Sequence, residues 1–111
     1  MIDSYSFGNI TINGLNFNKD LVLAWPAVLN WWRKTSHEVR PEDVEPILAL
    51  EPKTIIFGTG DSGAMKVLPE TLDLLKSKGI EVQVMPTGEA VIEYNRRSGS
   101  LGLVAAFHLT C

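Results

Sequence analysis

A chain of 111 residues, 45% of them apolar, is long enough for one domain with its own core and too short for two ordinary ones. Its 13 acidic and 10 basic residues leave a net charge of −3. The basic pairs Arg33-Lys34 and Arg96-Arg97 are too thin a patch for a nucleic-acid binder, and no apolar run approaches the roughly 18 residues of a membrane span.

The opening residues, Met1 to Phe7, carry neither the basic nor the apolar stretch of a signal peptide, and the single cysteine, Cys111, excludes an internal disulfide framework. Both fit a reducing compartment, so the expected location is cytoplasmic. Ile10 and Ile12 then alternate with Asn9, Thr11 and Asn13, giving one apolar and one polar face. Asn13-Gly14 sits between this stretch and one carrying Leu15 and Phe17. Asn-Gly favours a two-residue hairpin because both positions take positive φ. Leu21 to Trp25 reads as a further strand stopped by Pro26. In the ambiguous stretch Val28 to Arg33, adjacent Trp31 and Trp32 would point to opposite faces of a strand. One would enter the core while the other covers an edge or a partner, which makes the pair the interface candidates.

Thr35 to Glu38 reads as a loop. Pro41 opens a helix with Glu42 and Asp43 in its first turn and Val44, Ile47, Leu48 and Leu50 on its apolar side. Pro46 falls inside it and predicts an irregular or 3₁₀ first turn, and Glu51-Pro52 ends it. From Thr54 the pattern becomes an alternation of strand and helix. Ile55-Ile56-Phe57 is a buried strand that empties into a loop at Gly58, Gly60 and Gly63. Pro69 to Lys78 is a helix with Leu72 and Leu75 on one face and Gly79 as its C-terminal cap. Ile80 to Met85 is a strand with Ile80, Val82 and Val84 alternating. Thr87 is a candidate N-cap for a helix carrying Ala90, Val91 and Tyr94. After the loop Ser98-Gly99-Ser100, Leu101 to Leu109 forms the last strand. The fold class expected is three-layer α/β: an antiparallel N-terminal hairpin, then a β-α-β-α-β unit, sharing a mixed sheet.

Gly58-Thr59-Gly60-Asp61-Ser62-Gly63 matches the G-x-G-x-x-G form of a dinucleotide fingerprint and follows a strand. Two features count against that reading. In the fingerprint the helix starts within the glycines, whereas here Ala64 to Leu68 intervene. The next strand also ends in Met85-Pro86, with no acid to hold a ribose. Gly60-Asp61-Ser62-Gly63 echoes the loop around a serine-protease nucleophile too, but the chain is too short for that fold and has only two histidines. No catalytic residue and no cofactor are therefore assigned.

What remains is positional. Ligands of open α/β sheets favour the crevice at the carboxyl ends of the parallel strands. The loops Gly58–Gly63 and Pro86–Glu89 should lie there side by side, making Gly58, Thr59, Gly60, Asp61, Ser62, Gly63, Thr87 and Glu89 the ligand-binding candidates. Their N–H groups could hold a small anion or a partner's carboxylate, although Asp61 and Glu89 would oppose it. His37, His108 and Cys111 are the only soft metal ligands. His108 and Cys111 face opposite sides of a regular strand, so no metal site is assigned.

Several stretches together carry a resemblance. They are Ser36-His37-Glu38-Val39, Gly58-Thr59-Gly60 with Gly63-Ala64-Met65 and Leu68-Pro69-Glu70, then Thr87-Gly88-Glu89-Ala90, Tyr94-Asn95 and His108-Leu109-Thr110-Cys111. In this order and spacing, over nearly the whole chain, the sequence resembles a small single-domain family of unknown function. That family includes the adipogenesis-associated domain protein and, remotely, the mitochondrial complex I assembly factor of similar size. The resemblance implies a compact α/β domain, a cytoplasmic prokaryotic member and no established enzyme activity, with relatives associated with assembly and protein interaction. The function expected is a non-catalytic interaction or assembly module with an unidentified protein partner or self-association. The alternative is a binder or enzyme for an anionic metabolite or nucleotide in the strand-end crevice.

Overall fold

The computed structural model describes residues 1–111. Asn13 and Gly14 take φ values of 46° and 80°, as the predicted turn requires, and the strands they join, β2 (Asn9–Ile12) and β3 (Leu15–Phe17), pair antiparallel. The hairpin does not extend the main sheet. A strand without a clear sequence signal, β1 (Ile2–Ser6), pairs with the free side of β2, and the three form a sheet of their own. Ile2, Ile10 and Ile12 are buried, so this small sheet lies over the core as a layer.

The antiparallel part of the mixed sheet comes from the next two strands, β4 (Leu21–Ala24) and β5 (Ala27–Asn30), joined through a cis Trp25-Pro26 bond. Glu38, expected as the end of a loop, joins Val39 in β6 (Glu38–Val39). A 3₁₀ turn (Pro41–Val44) follows and leads into α1 (Glu45–Leu48), the irregular start that Pro46 predicts. β7 (Thr54–Thr59) runs two residues past the predicted stop at Gly58. β8 (Lys66–Val67) then pairs parallel with β6, which explains why the expected loop around Glu38 is strand. α2 (Pro69–Ser77) buries Thr71 and Leu75, with Leu72 only half-buried. It ends with the Gly79 N–H donating to the Lys76 carbonyl and the Ile80 N–H to the Leu75 carbonyl, Gly79 taking φ 76°. β9 (Glu81–Met85), α3 (Thr87–Arg96) and β10 (Leu103–His108) complete the chain, and Leu101, expected in the last strand, stands exposed before it.

The main sheet has the order β5-β4-β10-β7-β9, with β10, β7 and β9 parallel and β4 antiparallel to β10. Alternation along the strands divides the interior into two cores. Ile56, Ala105 and Phe107 face α3 and the small sheet; Ile55, Phe57, Val104 and Ala106 face α2 and the 3₁₀ segment. The result is a mixed α/β fold of three layers.

Gly58 continues β7 because α3 crosses directly above it. A Cβ there would stand 2.8 Å from Phe107 Cδ1 and 3.2 Å from Thr87 Cα. Its glycine therefore serves close packing and not a turn. Gly58→Ala is expected to lower stability by about 1–3 kcal/mol through overpacking, read as a lower urea midpoint at unchanged slope.

Candidate functional site

The carboxyl ends of β7 and β9 lie side by side, as the sequence predicts, and Thr87 N–H donates to the Gly60 carbonyl at 3.0 Å. Thr87 is not the N-cap of α3, however. Pro86 holds that position and Thr87 is the first helical residue. Its fully buried hydroxyl instead accepts from Gly60 N–H at 2.8 Å and donates to the His108 carbonyl at 2.6 Å, tying the loop after β7 to the end of β10.

The loop's own donors turn back on the chain. Asp61 N–H donates to the Thr110 carbonyl at 2.6 Å, and Ala64 N–H to the Cys111 main-chain oxygen at 2.9 Å. Gly63 N–H bonds to the Gly60 carbonyl and Met65 N–H to that of Thr59. The Ser62 hydroxyl also donates to the Cys111 oxygen. Gly60, at φ 103°, is needed twice over, since a Cβ would collide with the Cys111 backbone. Of the candidates, Gly58, Thr59, Gly60 and Thr87 are buried, Gly63 is half-buried, and Asp61, Ser62 and Glu89 are exposed.

The polar centre of this edge lies one strand further on, among residues that were not singled out as a group. His108 Nδ1 is 2.8 Å from Asp20 Oδ2, and Arg33 Nη2 is 2.9 Å from the same oxygen. Arg33 Nη2 also donates to the Ser36 carbonyl at 2.7 Å, which uses both of its hydrogens. Nδ1–H of His108 therefore points to Asp20, and the 3.2 Å approach of Arg33 Nη2 to Nδ1 is contact without a further bond. Arg33 Nε and Nη1 and His108 Nε2 are buried without partners. The guanidinium lies 4.5 Å from the Trp31 ring centroid, so the π face offsets part of that loss. His37 stacks edge-on against His108 at 5.6 Å.

Burial pushes the Asp20 carboxyl up. The His108 hydrogen bond, the Leu109 N–H bond and the nearby charges outweigh it and hold the group below its ordinary value. Tyr5, whose hydroxyl donates to the Leu109 carbonyl, is pushed up by burial and then by Asp61 and Asp20. Of these two acids, Asp20 is paired with Arg33 and Asp61 is exposed.

The two tryptophans differ in burial, though not by strand alternation. Trp31 is 5% exposed and donates its indole N–H to the Asp43 carbonyl; Trp32 is 78% exposed. Both follow β5 and lie outside it. A cavity of about 340 Å³ opens elsewhere, lined by Trp25, Leu50, Tyr94, Leu101 and the Ser98–Gly102 backbone. Its residues come from strand, helix and turn segments far apart in sequence, so no local spacing could have flagged it.

The family model described as protein of unknown function (DUF498/DUF598) matches residues 2–108, and the chain belongs to that family. NADH dehydrogenase [ubiquinone] 1 alpha subcomplex assembly factor 3 of Danio rerio is 31% identical over 108 residues, covering 96% of this chain and 62% of that protein. Its Bos taurus counterpart is 28% identical over 96 residues, covering 85% and 52%. The chain thus spans between about half and three-fifths of these curated relatives, which are longer than the similar size expected. A conserved hypothetical protein from Pyrococcus horikoshii OT3 superposes with a TM-score of 0.92 at 28% identity, covering 100% of this chain and 99% of that one.

Two outcomes test the edge. Thr87→Val leaves the Gly60 N–H and the His108 carbonyl unpaired and should cost on the order of 1–3 kcal/mol in chemical denaturation. Asp20 has a lowered folded value, so its stabilising effect is complete above the ordinary carboxyl value of 3.8 and is lost as pH falls through the folded value. Asp20→Asn leaves the buried Arg33 without its counter-charge and should therefore lower stability at pH 7 by about 3–5 kcal/mol. It should also flatten the loss of stability below pH 4 in a series of denaturation curves.

Proposed function

We propose that this chain is a single α/β domain acting as a non-catalytic, assembly-factor-like protein-interaction module in the reducing cytoplasm. The observation that carries the reading is the Trp31-Trp32 pair. Trp31 is held in the core by packing on Phe57 and by its bond to Asp43, so its neighbour Trp32 is presented from a fixed point with 78% of its surface in water. A large apolar side chain offered rigidly loses little entropy when a partner covers it, which is the character of an interface anchor. The N–H groups of Gly60, Asp61 and Gly63 are taken by Thr87, Thr110 and Gly60, which leaves fewer donors for a metabolite and supports the same reading. So does the likeness to proteins named as assembly factors of NADH dehydrogenase.

A small-molecule reading has one observation in its favour, the cavity beside Trp25 and Tyr94. Its volume of about 340 Å³ falls within the lower range of ligand pockets. Native mass spectrometry on protein purified gently from its host separates the two. The interaction reading expects added mass of protein size, including a second copy of the chain, that Trp32→Ser removes and Leu101→Ala, in the cavity lining, leaves. Added mass of metabolite size, lost in Leu101→Ala and kept in Trp32→Ser, would overturn it.

A further inference from the structure

The two edges of the main sheet are treated differently. The β9 edge carries Glu81, gripped by Arg97 at 2.8 Å, and runs into Pro86, the charge and proline that usually discourage pairing with another chain. The β5 edge has neither. Between Asp20 and Arg33 the sequence holds no charged residue, and no backbone hydrogen bond leaves β5 on its outer side. Trp25, Leu29 and Trp32 are all exposed there.

Which groups point outward follows from the ladder. Trp31 N–H donates to the Asp20 carbonyl, and the register pairs Val22 with Leu29 and Leu23 with Val28. Hydrogen-bonded and non-hydrogen-bonded pairs alternate in an antiparallel ladder, so Ala27 and Leu29 bond inward to β4. Val28 and Asn30 then turn their N–H and C=O groups out to the open edge.

We propose that a second copy of this chain pairs with that edge, β5 against β5 across a two-fold axis through Leu29, continuing the main sheet from one copy into the next. This rests on the interaction-module reading and names its partner. The argument for a like partner is symmetry. A two-fold axis normal to the sheet keeps every side chain on its own face, so some residue must sit opposite its own copy. Centred on Leu29, each Val28 exchanges N–H···O bonds with Asn30 of the other copy, and every outward group of β5 is used. Centred on Val28, Asn30 would face Pro26, which has no N–H to give. An isologous contact also sets each charge close to its own copy, and a segment without charge meets no such repulsion. The same register sets exposed Trp32 against the Trp25-Pro26 turn of the second copy.

The test combines sedimentation with a crosslink. The chain should pass from 12.3 kDa towards twice that mass as concentration rises. Val28→Pro removes an outward donor while sparing the ladder to β4, and Leu29→Lys sets like charges on the axis. Each should weaken self-association at least tenfold, with the thermal melt unchanged at concentrations where the wild type is also monomeric. Across the axis the Leu29 Cα atoms form a non-hydrogen-bonded pair at roughly 4.5 Å, within disulfide reach. Leu29→Cys in a Cys111→Ser background should therefore give a covalent dimer on mild oxidation. Val84→Cys on the β9 edge, in the same background, should not. A wild type that is monomeric at every concentration overturns the proposal, as does a dimer that keeps its affinity in both edge variants or fails to crosslink at Leu29. A monomer that still carries a different protein, lost in Trp32→Ser, overturns self-pairing and leaves the interaction reading standing.

Discussion

The rest of the structure depends on β10 lying between β4 and β7. All six of its residues are buried, and it bonds antiparallel to one neighbour and parallel to the other. Leu103, Ala105 and Phe107 pack against α3 and the small sheet, while Val104 and Ala106 pack against the 3₁₀ and α2 side. Both cores thus share one strand from the end of the chain. Its partners β4 and β7 are joined by a long excursion through β6 and α1, so only β10 makes them one sheet. Contacts of that sequence separation cost loop-closure entropy before they are repaid in buried surface, which ties closure of both cores to one late-synthesised segment.

The position of β10 also sets the character of the carboxyl edge. His108 is its last residue, and the strand's pleat turns that side chain towards the second core just where the apolar layers end. A buried imidazole needs partners. Asp20, just ahead of β4, supplies one, and Arg33, just after β5, closes on the same carboxylate. The pair that flanks the uncharged β4–β5 segment is therefore brought together over the end of β10. Charge is gathered inward at the polar end of this hairpin, and its outer strand is left bare.

Much of the fold was legible because its signals are local. Asn13-Gly14 fixes a hairpin by φ alone, Gly79 fixes a helix end, and the alternation after Thr54 fixes three parallel strands. What could not be read depends on contacts distant in sequence. β6 and β8 are two residues each and exist because they meet. The small sheet separates from the main one because Ile2, Ile10 and Ile12 pack onto α3, which nothing in the hairpin itself announces. Thr87 has the residue type of an N-cap but stands one residue inside the helix, and its hydroxyl serves the Gly60 N–H and the His108 carbonyl instead. The adjacent tryptophans were legible as a pair of opposite fates, whereas Asp20, Arg33 and His108 are too far apart in sequence for any spacing rule to join them.

The glycine loop shows how one pattern can serve two ends. Glycines after a strand allow close backbone approach, and sequence alone does not say what approaches. In a dinucleotide site a pyrophosphate takes the N–H groups at a helix start. Here the approaching object is the chain itself. Thr110 and Cys111 accept from Asp61 and Ala64, and the α3 start is turned to Gly60 by Thr87. A binding edge in form has become a clasp that holds the end of β10. The fold leaves other apolar side chains uncovered, among them Trp25, Leu29 and Trp32 at the β5 edge, with Leu15, Ile92 and Leu101 elsewhere.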